Sequence, residues 1–204
     1  MSVLGQPWLV AITKPSINTY QSLANDPKAN AWRPTIWILL AGFIAAILEI
    51  GADYLTNRFT YQAFSSNQLA QLIGPRLLFG VIGSLGGFIL FVGVQHLIAQ
   101  RLEGNGTFGQ QAYVVGAIIA PLLILSVVVA SLPIINVIVL PLVVFGLTID
   151  ILALKAVYDF GWIKALLSSF ALWFLIAVLL LAVFLYLIGP QVGIIFSNMM
   201  KDNL

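Results

Sequence analysis

The 204-residue chain has no cysteine, a single histidine and few charges, 8% of its residues. Without cysteine there are no disulfides, thiolate metal sites or thiol catalysis. One histidine excludes a multi-histidine metal centre. Charged residues make up about a quarter of an ordinary soluble domain. A water-facing surface cannot be assembled from a third of that supply. The net charge of +2 is too small to point to nucleic acid. What is present instead is apolar: 61% of residues are hydrophobic and the mean hydropathy is +1.05. This composition predicts a multi-spanning membrane protein.

Five apolar runs approach the roughly 20 residues that cross a bilayer as a helix. They cover 35–55, 77–99, 112–130, 134–154 and 165–188. Backbone groups in hydrocarbon must be bonded internally, so each run predicts a helix. The link over 56–76 is polar and has the length for a short interfacial helix. The link at 131–133 is Ser-Leu-Pro, and Pro133 divides one long apolar run into a hairpin. Pro121 and Pro141 fall inside spans three and four, where kinks are expected. The run 192–196 is too short to span and is expected at the interface.

Residues 1–34 carry Trp8-Leu9-Val10 but are interrupted by Lys14, Pro15, Asn18, Asn25, Asp26, Lys28 and Arg33. They predict no cleavable signal, so the first span should also serve as the targeting signal. Trp8, Leu9, Ile12, Ile17, Tyr20 and Leu23 recur at loosely helical spacing. That pattern predicts an interfacial segment with apolar anchors facing lipid and Lys14 and Lys28 near anionic headgroups. The expected organisation is therefore a short cytoplasmic segment over 1–34, a membrane domain over 35–188 and a tail over 189–204. Lys14, Lys28, Arg33, Arg101, Lys155 and Lys164 fall on one side, and Arg58, Arg76 and Lys201 on the other. Basic residues concentrate in cytoplasmic loops, which predicts a cytoplasmic N-terminus.

The stretch GNGTFG, with Gly104, Gly106 and Gly109, has the spacing of a phosphate-binding glycine loop. A dinucleotide fingerprint also needs a strand before it and an acidic residue about 20 positions on. Here an apolar span precedes it, and residues 125–130 read Leu-Ser-Val-Val-Val-Ala. No Gly-Lys-Ser/Thr follows either, so no cofactor is expected. The three glycines predict a reversal between spans, using the positive φ that glycine permits.

Span two pairs Gly83 with Gly87, and Gly80 with Ser84, as small-xxx-small motifs on adjoining faces. Such residues let helix backbones approach closely. They predict packing within the chain, with a homo-oligomer interface as the alternative, and Gly83→Leu is expected to disrupt folding or assembly. Ionisable groups inside spans are Glu49, Asp53, His96 and Asp150. Glu49 and Asp53 lie one turn apart near Arg58 and Arg76, which predicts a salt-bridge cluster. His96 and Asp150 fall near the cytoplasmic ends of spans two and four and are expected to pair. No nucleophile is coupled to them by the sequence, so no catalytic site is expected.

The segments PSINTYQSLANDPKANAWRPTIWILLAGF, HLIAQRLEGNGTFGQQAYVVGAIIAPLLI and LPIINVIVLPLVVFGLTIDILALKAVYDFGWIKALL resemble, in that order, the Yip family. These are five-span membrane proteins named for interaction with Ypt/Rab GTPases. The likeness covers most of residues 14–185 and rests on the order of features. It implies a five-helix bundle with a cytoplasmic N-terminus, no catalytic residue and no cofactor. The implied role is a scaffold in membrane organisation or traffic, working through helix packing and protein partners. The head of about 34 residues is short for a eukaryotic member. That weighs against small-GTPase recruitment and favours a prokaryotic-type protein of the plasma membrane over one of the Golgi or ER. The competing class is a small transporter or channel subunit using Glu49, Asp53, His96 or Asp150.

Overall fold

The computed structural model describes residues 5–56, 65–130 and 135–201, and these form seven helices and no strand. In chain order they are α1 (Gly5–Thr13), α2 (Ile17–Ala24), α3 (Trp32–Thr56), α4 (Ser66–Arg101), α5 (Phe108–Ala130), α6 (Ile135–Tyr158) and α7 (Trp162–Lys201). Five are long and apolar enough to cross a membrane: α3, α4, α5, Pro141–Tyr158 of α6 and Trp162–Val183 of α7. The chain is thus the all-α, five-span protein expected. Residues Met1–Ser169 form one compact unit and Phe170–Leu204 a second, with α7 beginning in the first.

Two boundaries differ from the sequence reading. Span two is longer, because α4 begins at Ser66 and absorbs the second half of the polar link. A reciprocal cap fixes that start: the Ser65 N–H donates to Gln68 Oε1 at 2.8 Å, satisfying one of the donors that a helix start leaves free. The rest of that link, including Arg58, and the link at 131–133 lie outside the described residues. At the other end, α7 continues as helix through the region read as a separate tail, as far as Lys201. Pro75, Pro121 and Pro141 all sit within helices.

In the first unit α3 packs against α4 and α5, α5 against α6, and the α1–α2 pair against α5 and α6. The core is aromatic at the end nearest α1 and α2. Trp37, Tyr20 and Tyr113 are fully buried, with Phe88, Val92 and Ile149 beyond them. The Trp37 ring lies 5.0 Å from Tyr113 and meets Trp8 edge-on at 6.3 Å, the tilted geometries that ring quadrupoles favour.

The N-terminal lead is a helix pair with one face in this core. Pro15 separates α1 from α2, and Ser16 restarts the chain as an N-cap, its Oγ accepting the Thr19 N–H at 3.1 Å. Tyr20 is buried and donates its hydroxyl to the Ala11 carbonyl at 2.9 Å, tying α2 to α1. Burial pushes the Tyr20 phenol well above its ordinary range, and the Asp150 carboxylate acts in the same direction. Of the anchors expected to face lipid, Leu9 is 65% exposed, while Trp8, Ile17 and Leu23 pack on the core.

Candidate functional site

Next to this aromatic core, polar side chains from four spans meet out of water. Gln95 on α4, Gln111 on α5 and Ser169 on α7 are fully buried, and Asp150 on α6 is 7% exposed. Gln95 Nε2 donates to Asp150 Oδ2 at 2.8 Å, and Ser169 Oγ donates to the same oxygen. Gln111 Nε2 donates to Gln95 Oε1 at 3.0 Å, and the Tyr158 hydroxyl donates to Gln111 Oε1 at 2.6 Å. His96 Nδ1 closes the series on the Tyr158 oxygen.

The direction of this chain follows from one group. An ionised carboxylate only accepts, so Asp150 requires the amide nitrogen of Gln95. The Gln95 oxygen then faces Gln111, which must present its own nitrogen and leave its oxygen for Tyr158. With the Tyr158 proton committed, His96 must donate from Nδ1, which sets its tautomer. Every donor in the series therefore points toward Asp150. A buried carboxylate is costly unless paired or hydrogen-bonded, and here two donors on one oxygen meet part of that requirement.

The direct pairing expected for His96 and Asp150 is corrected by these bonds. Gln95 and His96 are successive residues, about 100° apart around a helix with 3.6 residues per turn, so they meet different parts of α6, Gln95 at Asp150 and His96 at Tyr158. Gln95 takes the inward place. His96 packs instead against Phe108, at 5.5 Å between rings, and against Tyr158 at 5.9 Å. The two residues are joined through three intermediaries, at opposite ends of one polar chain.

The GNGTFG loop sits over the same end, but its glycines serve a different purpose from the one expected. No described glycine has positive φ, and the left-handed position after α4 is taken by Glu103 at φ 63°. The Gly104 N–H bonds the Ala99 carbonyl at 3.0 Å and the Glu103 N–H the Gln100 carbonyl at 3.1 Å, the paired closure of a Schellman motif. Glycine is needed for approach. A Cβ on Gly104 would stand 2.7 Å from the rings of Phe160 and Tyr158, and one on Gly106 would stand 2.7 Å from the Val157 carbonyl oxygen. Gly109 lies in the first turn of α5 with ordinary contacts. Thr107 caps that helix, accepting the Gln110 N–H at 3.3 Å while its own N–H bonds Gln110 Oε1 at 2.9 Å. On the facing link, Asp159 repeats the left-handed turn at φ 56°. Lys164 Nζ reaches back to the Leu102 carbonyl at 2.7 Å, a cation at the negative end of α4.

Of the small residues on α4, the structure uses Gly80 and Ser84 for packing within the chain. A Cβ on Gly80 would stand 2.6 Å from that of Ala46, and one on Gly42 of α3 would collide with the Ser84 hydroxyl. A Cβ on Gly83 or Gly87 would meet nothing within 4 Å. Gly83→Leu was expected to disrupt folding or assembly; within the chain it is at Gly80 that a larger residue would meet a neighbour. At the other end of α3, Asp53 pairs with Arg76, while Glu49 is exposed with no ion pair among the described residues. Arg58, the other cation expected there, lies outside those residues.

Sequence reasoning missed Gln95, Gln111, Tyr158 and Ser169. Two glutamines within apolar helices were the available signal, since an amide in hydrocarbon also needs partners. The chain matches the Yip1 domain family model over residues 9–190, from α1 into α7. It belongs to the Yip1 domain family, and with its five candidate spans it is a polytopic integral membrane protein. No curated protein and no solved structure matches it.

Proposed function

We propose that this Yip1-domain protein is a non-catalytic scaffold that organises membrane or trafficking partners through helix packing. The observation that carries this reading is the closure of the polar chain. Asp150, Gln95, Gln111 and Ser169 are buried and are hydrogen-bonded in series with one another and with Tyr158. A transport path would instead need such groups to meet water or a solute. Yip1-domain proteins are generally non-enzymatic, which supports the same view. Glu49 supports a protein partner: it is an exposed carboxylate on a spanning helix with no ion pair among the described residues, and an unpaired charge there is costly.

The reading includes a cytoplasmic segment over 1–34, a membrane domain over 35–188, a tail over 189–204 and a prokaryotic plasma membrane as the site of action. Its test combines two measurements on the full chain. Crosslinked co-purification from native membranes should return a reproducible set of membrane-protein partners, reduced by Glu49→Gln. Proteoliposomes should show no more ion or solute flux than protein-free vesicles. A flux abolished by Asp150→Asn or Asp53→Asn would replace the scaffold with a transporter.

A further inference from the structure

A cleft of about 480 Å³ lies between α1, α2 and the start of α3. Its polar side carries Ser22, Asp26, Lys28, Arg33 and Tyr113, and its apolar side includes Val10 and Leu23. Two cations thus share one cleft with one carboxylate. That carboxylate is already engaged by neutral donors: Asp26 Oδ1 accepts the Lys28 backbone N–H at 2.8 Å, and Oδ2 accepts the Tyr113 hydroxyl at 3.3 Å. The ion pairs found among the described residues are Arg76–Asp53 and Lys164–Glu103, so neither Lys28 nor Arg33 is held in one. The Lys28 ammonium and the Arg33 guanidinium face a common volume with a net positive balance.

Depth in the membrane narrows the anion. Arg33 follows Trp32, which is 70% exposed at the start of the first span, and Leu9 beside Val10 is 65% exposed on α1. Tryptophan favours the headgroup level, and an exposed leucine on a short helix favours the boundary with the acyl chains. The volume falls in the range of small-molecule sites and far exceeds a bare phosphate. The apolar side would have nothing to cover if inorganic phosphate were the ligand.

We infer that this cleft binds the phosphate of an anionic lipid headgroup. Arg33 and Lys28 bond the phosphate oxygens, the Ser22 hydroxyl meets the polar glycerol region, and Val10 and Leu23 line its apolar continuation. Arginine suits a phosphate through its forked donors, and lysine adds a point charge. The site lies where the N-terminal helix pair meets the start of α3 and Tyr113 of α5, and it does not depend on the scaffold reading. It makes the fit of α1 and α2 on the bundle sensitive to lipid composition.

The full chain, purified in neutral detergent, is titrated with dihexanoyl phosphatidylglycerol, dihexanoyl phosphatidylcholine and inorganic phosphate, and bound ligand is read by native mass spectrometry. Phosphatidylglycerol should bind about tenfold more tightly than phosphatidylcholine, whose choline cation brings like charge to a net-positive cleft, and than inorganic phosphate, which leaves the apolar side uncovered. Lys28→Gln and Arg33→Gln should each weaken it by about the same factor. Asp26→Asn should tighten it severalfold, because a negative charge leaves the cleft. Lys14→Gln, an exposed residue outside the cleft, should leave it unchanged. Thermal unfolding of Lys28→Gln should match wild type, which separates lost binding from lost folding. Equal affinity for the two lipids, or a Lys14→Gln effect as large as that of Lys28→Gln, would overturn the site. So would an Asp26→Asn variant that binds no more tightly than wild type. Inorganic phosphate that saturates the protein as readily as phosphatidylglycerol would overturn the lipid assignment.

Discussion

The two ends of the unit Met1–Ser169 are fastened differently. At one, four spans share a buried polar chain, two links interlock through Gly104 and Gly106, and a helix pair closes over the aromatic core. At the other, α3 and α4 are joined by the Asp53–Arg76 pair, whose side chains are 28% and 42% exposed. Gly51 and Gly74 there have open space where a Cβ would stand. Among the described residues, the buried polar network that joins four spans lies at the end that bears the N-terminal helices. An exposed pair contributes little, whereas a buried network becomes costly to lose once one member is removed. The polar-chain end should therefore resist unfolding, and the opposite end should tolerate substitution.

The largest test of that contrast is Asp150→Ala. It leaves Gln95 Nε2 and the Ser169 hydroxyl buried without their acceptor, at about 1–3 kcal/mol for each orphaned group. A loss near 3 kcal/mol is expected in reversible unfolding from mixed micelles. Asp150→Asn keeps the shape and one acceptor oxygen and should cost less. A loss below about 0.5 kcal/mol for Asp150→Ala, the level of an ordinary surface substitution, would mean that the polar chain does not hold this end.

A matched pair of glycine substitutions comes next in size. Gly106→Ala brings a methyl group to 2.7 Å from the Val157 carbonyl oxygen, a backbone atom that cannot rotate away. Such overpacking costs about 1–3 kcal/mol. Gly74→Ala lies within α4 with no neighbour inside 4 Å, so it should stabilise the helix by about 0.5–1 kcal/mol. Opposite signs from the same chemical change would sharpen the contrast between the ends. Equal effects would erase it.

Much of the fold was legible because one term dominates it. Runs of apolar residues with internally bonded backbones leave few alternatives to spanning helices, and all five were found, although α4 begins well before and α7 runs well beyond the limits read from the sequence. The longer reach of α4 depended on the Ser65–Gln68 cap, a local signal hidden in a polar stretch. The site was less legible. Asp150 and His96 stood out as ionisable groups, but which neighbour each meets depends on helix rotation, and Gln95 and His96 differ only by one position. Gly104 and Gly106 were assigned to the right reversal for the wrong reason. Backbone conformation is local, whereas the contacts with Tyr158, Phe160 and Val157 come from more than 50 residues away. Which of the anchors on the α1–α2 pair meet the core, as Trp8, Ile17, Tyr20 and Leu23 do, was not legible, because an apolar helical face looks the same whether lipid or protein covers it.

The smallest effect belongs to Asp53 and Arg76, and it needs a double-mutant cycle, because both residues make other interactions besides their pairing. Single changes such as Asp53→Asn or Arg76→Gln would mix those contacts with the ion pair. The coupling energy isolates the pair itself. At this exposure it should fall below about 1 kcal/mol and shrink as salt is raised toward about 1 M, where the screening length is near 3 Å. Asp150 and Gln95, crossed in the same way, should show a larger coupling with little salt dependence, since both are buried. A coupling at Asp53–Arg76 as large and as insensitive to salt as that at Asp150–Gln95 would make the two ends equivalent, and the polar chain would lose its claim to be the firmer fastening.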